Sequence, residues 1–148
     1  MKKIIAITIA SMMASPISSF AATGTASFAG TVDSTCVITA GNPGRVTPNA
    51  DYSNLSSANP GGYASQVTAL ATGNTFSLST DVPAGISADT SSSSYTLSGA
   101  TNRPITDGTT ASPLSSGLTN VSVDMSATRN SGVFTAGAYN SVVTVRCE

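Results

Sequence analysis

The stretch LTNVSVDMSAT, residues 118–128, indicates the fold class of this chain. Val121, Val123, Met125 and Ala127 alternate in it with polar residues. Successive side chains of a strand point to opposite faces, so a period of two is typical of a strand with one buried face. No helical period of 3.6 residues persists after residue 21. The pattern therefore predicts an all-β protein.

The same period of two recurs in several other runs. One of them, YASQVTALAT, also fits a helical turn through Val67, Leu70 and Ala71, although the alternation favours a strand. Gly, Pro, Asn and Asp separate the runs, which predicts an antiparallel β-sandwich. Residues 46–62 and 101–117 are interpreted as loops, the second with a tight turn at Asp107-Gly108. The other strand candidates are TGTASFAGTVDSTCVIT (23–39), TFSLSTDV (75–82), SSSSYTLSG (91–99) and TAGAYNSVVTVRCE (135–148).

The first 21 residues have the organisation of a secretory signal peptide. Lys2 and Lys3 precede an apolar run, and small residues follow it up to Ala21, after which we expect cleavage. The apolar run is too short for a membrane span, which needs about 20 residues. We therefore expect an exported protein with no membrane insertion after cleavage, and a bacterial periplasm as its first destination. Residues 22–148 then form a single domain.

The charge balance of residues 22–148 excludes two classes of partner. Without Lys2 and Lys3, four arginines face seven acidic residues, so the net charge is −3, and the chain contains no His. Binding to nucleic acid requires a basic surface that displaces counterions. Attraction to an anionic membrane surface also requires basic residues.

The two cysteines indicate a disulfide bond. Cys36 lies on the apolar face of the first run, and Cys147 shares a face with Tyr139, Val143 and Val145 in the last run. In an exported chain two cysteines are first interpreted as a disulfide, with two free thiols as the alternative. The chain has neither a CxxC motif nor a His, which argues against zinc binding and redox catalysis.

No residue pattern predicts an enzyme, a metal site or a cofactor. The serines lack a His or Lys that would act as a base. The acidic residues are scattered, and Asp51 and Asp107 lack the close-spaced oxygen ligands of a calcium loop. The tyrosines leave one alternative function open, an autonomous secreted binding module, for example for carbohydrate. They are Tyr52, Tyr63, Tyr95 and Tyr139.

Both ends of the predicted domain resemble type 1 pilins, the subunits of chaperone–usher fimbriae. Residues 24–41, GTASFAGTVDSTCVITAG, are similar to the pilin pattern G-T-x-x-F-x-G-x-V before a Cys, and AGAYNSVVTVRCE is similar to a pilin's terminal strand. The chain departs from the pilin pattern in two ways. Cys147 stands where pilins usually carry an aromatic residue. Pilin disulfides usually join two early strands, whereas the only possible partner of Cys36 is at the far end of the chain. Spore-coat-U-like secreted domains are a looser resemblance. The matching positions are Gly24, Thr25, Phe28, Gly30, Val32 and Cys36.

The resemblance implies an immunoglobulin-like sandwich that lacks a strand and is completed by the N-terminal extension of a neighbouring subunit. The extension would be residues 22–35, and the groove would lie along the C-terminal strand. It also implies like subunits, a periplasmic chaperone and an usher as partners, and a final place at the cell surface. The alternative is that the first run is an edge strand of its own domain. The implied donor residues are Ala26, Phe28, Gly30 and Val32, and the implied acceptor residues are Tyr139, Val143 and Val145.

Overall fold

The computed structural model describes residues 23–148, and within them the chain is all-β, without a helix. Every strand pair is antiparallel, as the sequence predicts. The strands are β1 (Cys36–Ala40), β2 (Thr47–Pro48), β3 (Asn54–Ser56), β4 (Ser65–Ala71), β5 (Ser77–Thr80), β6 (Thr90–Gly99), β7 (Arg103–Asp107), β8 (Ser112–Pro113), β9 (Gly117–Thr128) and β10 (Val145–Cys147).

Strand β9 organises the larger, seven-stranded sheet. Strand β6 pairs along one edge of β9, and β4 and β3 pair in succession along the other edge. Strands β1, β2 and β7 then join β4, β3 and β6. The alternation predicted for residues 118–128 is confirmed, because Val121, Val123 and Ala127 are buried with at most 5% of their surface exposed.

The smaller sheet has three strands in the order β10-β5-β8. Leu78 of β5 packs in one core cluster with Tyr95, Leu97 and Val121 of the larger sheet. The Tyr95 hydroxyl donates to the Leu78 carbonyl at 3.0 Å, and so links the two sheets. The main core therefore lies between the sheets.

Two segments that the sequence predicts as loops contain short strands. In residues 46–62, β2 and β3 form, and Leu55 of β3 is 5% exposed. Residues 101–117 contain β7 and β8. These strands have two to five residues, too few for a period of two to stand out, and they form because longer strands pair with them. The Asp107-Gly108 turn is confirmed: the Thr110 N–H donates to the Asp107 carbonyl at 3.0 Å.

The chain divides into two compact units, Met1–Gly30 and Thr31–Glu148. Every strand of the described residues lies in the second unit, and residues 23–35 contain no strand. The long strand expected over residues 23–39 is therefore restricted to Cys36–Ala40, which lies at an edge of the larger sheet of its own domain. The predicted signal peptide, residues 1–21, lies outside the described residues.

Candidate docking groove beside the C-terminal strand

An open cavity of about 490 Å³, lined by both apolar and polar residues, runs beside the C-terminal segment, and we call it the C-terminal groove. Val67 of β4 and Val123 and Met125 of β9 form its floor. One wall is residues 139–143 with Val145, and the opposite wall is residues 43–46. The groove thus borders the main core, because Val123 belongs to the core cluster and Val67, Val143 and Val145 pack against it.

The C-terminal wall is hydrogen-bonded to the chain along one edge. The backbones of Val142 and Ala84 exchange two bonds of 2.9 Å, and those of Glu148 and Ser77 exchange bonds of 2.6 and 2.9 Å. A residue that exchanges two backbone bonds with a neighbouring strand points both its N–H and its C=O toward that strand. The next residue points both groups the opposite way. The backbone groups of the odd-numbered residues between Val142 and Glu148 therefore point to the other edge of the C-terminal segment. Strand β10 has β5 as its neighbour in the sheet, and its other edge faces the groove.

The side chains of this wall alternate in exposure. Tyr139, Val143 and Val145 are half-buried and line the groove. Val142, between them in sequence, is 68% exposed. The structure therefore brings together the three residues proposed from the sequence as an acceptor strand, although only the last of them lies in a regular strand.

The opposite wall follows directly after β1. The Gly41 N–H donates to the Gln66 carbonyl at 2.9 Å, and the backbones of Arg45 and Tyr63 exchange bonds of 2.9 and 3.0 Å. These bonds attach the wall to the segment that leads into β4. Two separate parts of the chain, each attached to a different sheet, therefore form the two walls of the groove.

A disulfide bond between Cys36 and Cys147 joins β1 to β10, with the two Cα atoms 6.3 Å apart. The pairing predicted from the sequence is confirmed. Because Cys36 begins β1 and Cys147 ends β10, the disulfide connects the two groove walls at one end.

A second cavity of about 510 Å³ continues from the other end of the groove, since Val46 and Tyr139 line both. The Tyr139 ring packs edge-on against Phe134, with the ring centroids 5.4 Å apart. Tyr52, at the rim, is 56% exposed and has a left-handed φ of 58°. The sequence indicated neither this cavity nor the role of Phe134 in it, because its residues come from distant loops.

The predicted donor residues lie in the segment that precedes β1. Phe28 is 96% exposed and Val32 is 84% exposed. Ala26 and Gly30 are exposed as well, and none of the four residues belongs to a strand. The segment therefore carries an alternating set of apolar residues whose surface is accessible.

The two aspartates considered as calcium ligands act in turns. Hydrogen bonds from the Ser53 hydroxyl and backbone hold the pKa of Asp51 below its ordinary value. The Thr109 hydroxyl and backbone do the same for the pKa of Asp107. In residues 23–148, no three His, Cys, Asp or Glu side chains are grouped so that they could hold a metal ion. That same range contains no helix long and apolar enough to cross a membrane.

Comparison of the chain with protein-family models, curated proteins and solved structures gave no match.

Proposed function

We propose that this chain is an exported, non-enzymatic subunit of a bacterial surface fibre, similar to type 1 pilins, that assembles by strand addition. Its domain is then an immunoglobulin-like sandwich that lacks one strand. The C-terminal groove carries the proposal, because it exposes half-buried Val143 and Val145 next to an unpaired strand edge. An unpaired edge of this kind is a template for another chain.

An added strand would both pair with the unpaired strand edge and cover the half-buried valines of the groove. Its backbone would pair with the free edge of β10, and every second side chain would fill the groove. The segment before β1 has the matching pattern in Ala26, Phe28, Gly30 and Val32. Burial of a side chain such as Phe28, now 96% exposed, would contribute about 1.5–3 kcal/mol. A second copy of the chain is therefore a suitable donor.

An open groove would also create a need for a chaperone. A subunit with an exposed apolar groove and a free strand edge aggregates unless another protein covers both. We infer that a periplasmic chaperone protects the subunit after export and that an usher delivers it to the cell surface. The signal-peptide pattern of residues 1–21 supports export.

The experiment is a gel of unboiled cell-surface material from bacteria that express the full chain. We expect a ladder of stable multimers that disappears when residues 22–32 are deleted. Phe28→Asp should also remove the ladder, because it places a charge in the groove, whereas Ser27→Asp, on the opposite parity, should keep it. A soluble monomer that folds without a chaperone, or an unchanged ladder from the deletion variant, would contradict the proposal.

A second candidate function is an autonomous binding module for carbohydrate. The observation that favours it is the second cavity, where Tyr52 and Tyr139 offer aromatic surfaces. Binding of soluble oligosaccharides to the monomer, lost in Tyr52→Ala and kept in Tyr63→Ala, would support this function. Failure of an oligosaccharide panel to bind, together with a multimer ladder, would exclude it in favour of the pilin-like subunit.

A further inference from the structure

The outer face of the larger sheet carries an unusual row of aliphatic side chains. Val37 of β1 lies opposite Leu70 of β4, and Leu70 lies opposite Leu118 of β9. Their exposed fractions are 52%, 46% and 55%. Adjacent strands are about 4.8 Å apart, so the three side chains form one contiguous strip. We call this strip the aliphatic row.

The rest of this part of the face is polar and uncharged. The next outward-facing row consists of Thr39, Thr68 and Asn120, paired in the same way. In the row after that, the Gln66 side-chain amide donates to the Ser122 hydroxyl at 3.1 Å. Single exposed aliphatic residues are normal on a protein surface, and the aliphatic row differs from them in that its three members are contiguous. The aliphatic row is thus a local feature of one end of the sheet.

That end is where the N-terminal extension leaves the domain. The Thr72 hydroxyl donates to the Asp33 carbonyl at 2.7 Å and accepts from the Thr35 N–H at 2.7 Å. The Thr72 N–H donates to the Thr35 carbonyl at 2.9 Å. Residues 33–35 are therefore fastened beside the end of β4, immediately before the disulfide and Val37.

Chain length then limits where a neighbouring copy can lie. Val32 is the last proposed donor residue, and Val37 lies five positions further along the chain. A fully extended chain spans at most about 3.6 Å per residue, so Val32 lies within about 18 Å of Val37. A second copy that holds the donor segment through Val32 is therefore within reach of the aliphatic row.

We propose that Val37, Leu70 and Leu118 form a contact surface for the second copy of this chain that accepts the donor segment. This proposal rests on the proposed function. The contact would help to set the angle between consecutive subunits, because residues 33–35 fasten the donor segment to its own domain only beside Thr72. The groove supplies the attachment and the aliphatic row supplies the orientation.

Hydroxyl-radical footprinting of the full-length secreted chain tests this proposal directly. We expect Val37, Leu70 and Leu118 to be oxidised at least about threefold more slowly in the multimer fraction than in the monomer fraction, since burial in a contact excludes the radical. Ile105 of β7, 69% exposed, is the internal control and should react equally in both fractions. Equal oxidation of the aliphatic row in the two fractions would overturn the proposal.

A pair of variants gives a second readout. The double variant Leu70→Ser/Leu118→Ser should still form the multimer ladder, but electron micrographs should show a spread of angles between consecutive subunits about twice that of the wild type. Ile105→Ser should leave the angles unchanged. A ladder with unchanged angles would overturn the aliphatic-row contact alone. Absence of multimers in the wild type would overturn the proposed function and this inference with it.

Discussion

Cys36 and Cys147 are joined by a disulfide that spans 111 residues and links the first strand of the seven-stranded sheet to the last strand of the three-stranded sheet. Both strands lie at sheet edges, and β10 has only three residues paired with β5. The disulfide therefore holds the C-terminal wall of the groove beside the wall that follows β1. The stability of the domain and the shape of the groove are coupled at this bond.

Removal of the disulfide should lower the free energy of unfolding. In the entropy model, a cross-link that closes a loop of this length contributes about 4–5 kcal/mol, as an upper value. We expect Cys36→Ser/Cys147→Ser to show a loss of this order in urea unfolding followed by circular dichroism. Wild-type protein reduced with dithiothreitol is the control and should behave like the double variant. A loss below about 1 kcal/mol would contradict the structural role of the bond.

Val143 and Thr144 offer a matched pair for the groove, since Val143 lines it, whereas Thr144 is exposed and does not line it. Val143→Asp places a charge at an apolar surface that an incoming strand would cover, and burial of an unpaired charge is strongly unfavourable. We expect Val143→Asp to remove the multimer ladder and Thr144→Asp to keep it. Mass spectrometry of the Cys36–Cys147 bond in both variants checks that each has folded. Equal ladders from the two variants would argue against strand addition at this groove.

The buried hydroxyl of Tyr95 should contribute to stability. Tyr95 is fully buried, and its hydroxyl contacts the carbonyls of Leu78 and Thr110 and the hydroxyl of Ser112 at 3.0, 2.6 and 2.7 Å. Tyr95→Phe leaves those buried acceptors unsatisfied, so we expect a loss of about 1–3 kcal/mol in urea unfolding. Tyr63→Phe, at a residue 55% exposed, should change little. Similar effects of the two substitutions would contradict the assigned role.

The ion pair between Asp81 and Arg146 should make stability depend on pH. Hydrogen bonds from Arg146 at 2.8 and 2.6 Å hold the pKa of Asp81 below its ordinary value; desolvation opposes this effect and the charge of Arg146 adds to it. A carboxyl whose pKa is lower in the folded state stabilises the fold at pH values above its pKa in the unfolded chain, about 3.9. That stabilisation is lost as the pH falls through the pKa of the folded state.

We therefore expect the urea concentration at the unfolding midpoint of the wild type to decrease when the pH is lowered below about 4. The decrease should be smaller for Asp81→Asn. Arg146→Gln should resemble Asp81→Asn, because it removes the other half of the pair. The effect will be small, since the two side chains are 40% and 51% exposed and solvent screens them. Identical pH profiles for the wild type and Asp81→Asn would exclude the pair as a source of this dependence.

Local sequence patterns predicted the long strands because each has a buried face of its own. Residues 118–128 show the buried face most clearly. For YASQVTALAT, where helix and strand were both open, the structure forms the strand β4. The short strands β2 and β3 were missed, although Leu55 is in the core. Their stability comes from pairing with other parts of the chain, as in the contact of Asn54 with Thr128 of β9.

The candidate site was predictable in one part and not in another. The side of the C-terminal run on which Tyr139, Val143 and Val145 lie follows from their spacing of two and four residues. The facing wall at residues 43–46 and the floor at Val123 and Met125 have no local signal, because they become neighbours only when distant strands pair. The second cavity was unpredictable for the same reason.

The sequence by itself determined the class of fold and the disulfide, because a period of two and a pair of cysteines in a chain whose sequence predicts export have few physical interpretations. It also determined which residues of each long strand face inward. Only the tertiary structure decided that β9 pairs with β3, β4 and β6, that an edge of β10 remains open, and that Val37, Leu70 and Leu118 lie side by side. The strand pairing, the open edge and the aliphatic row depend on contacts between residues far apart in the chain. Local periodicity carries no information about such contacts.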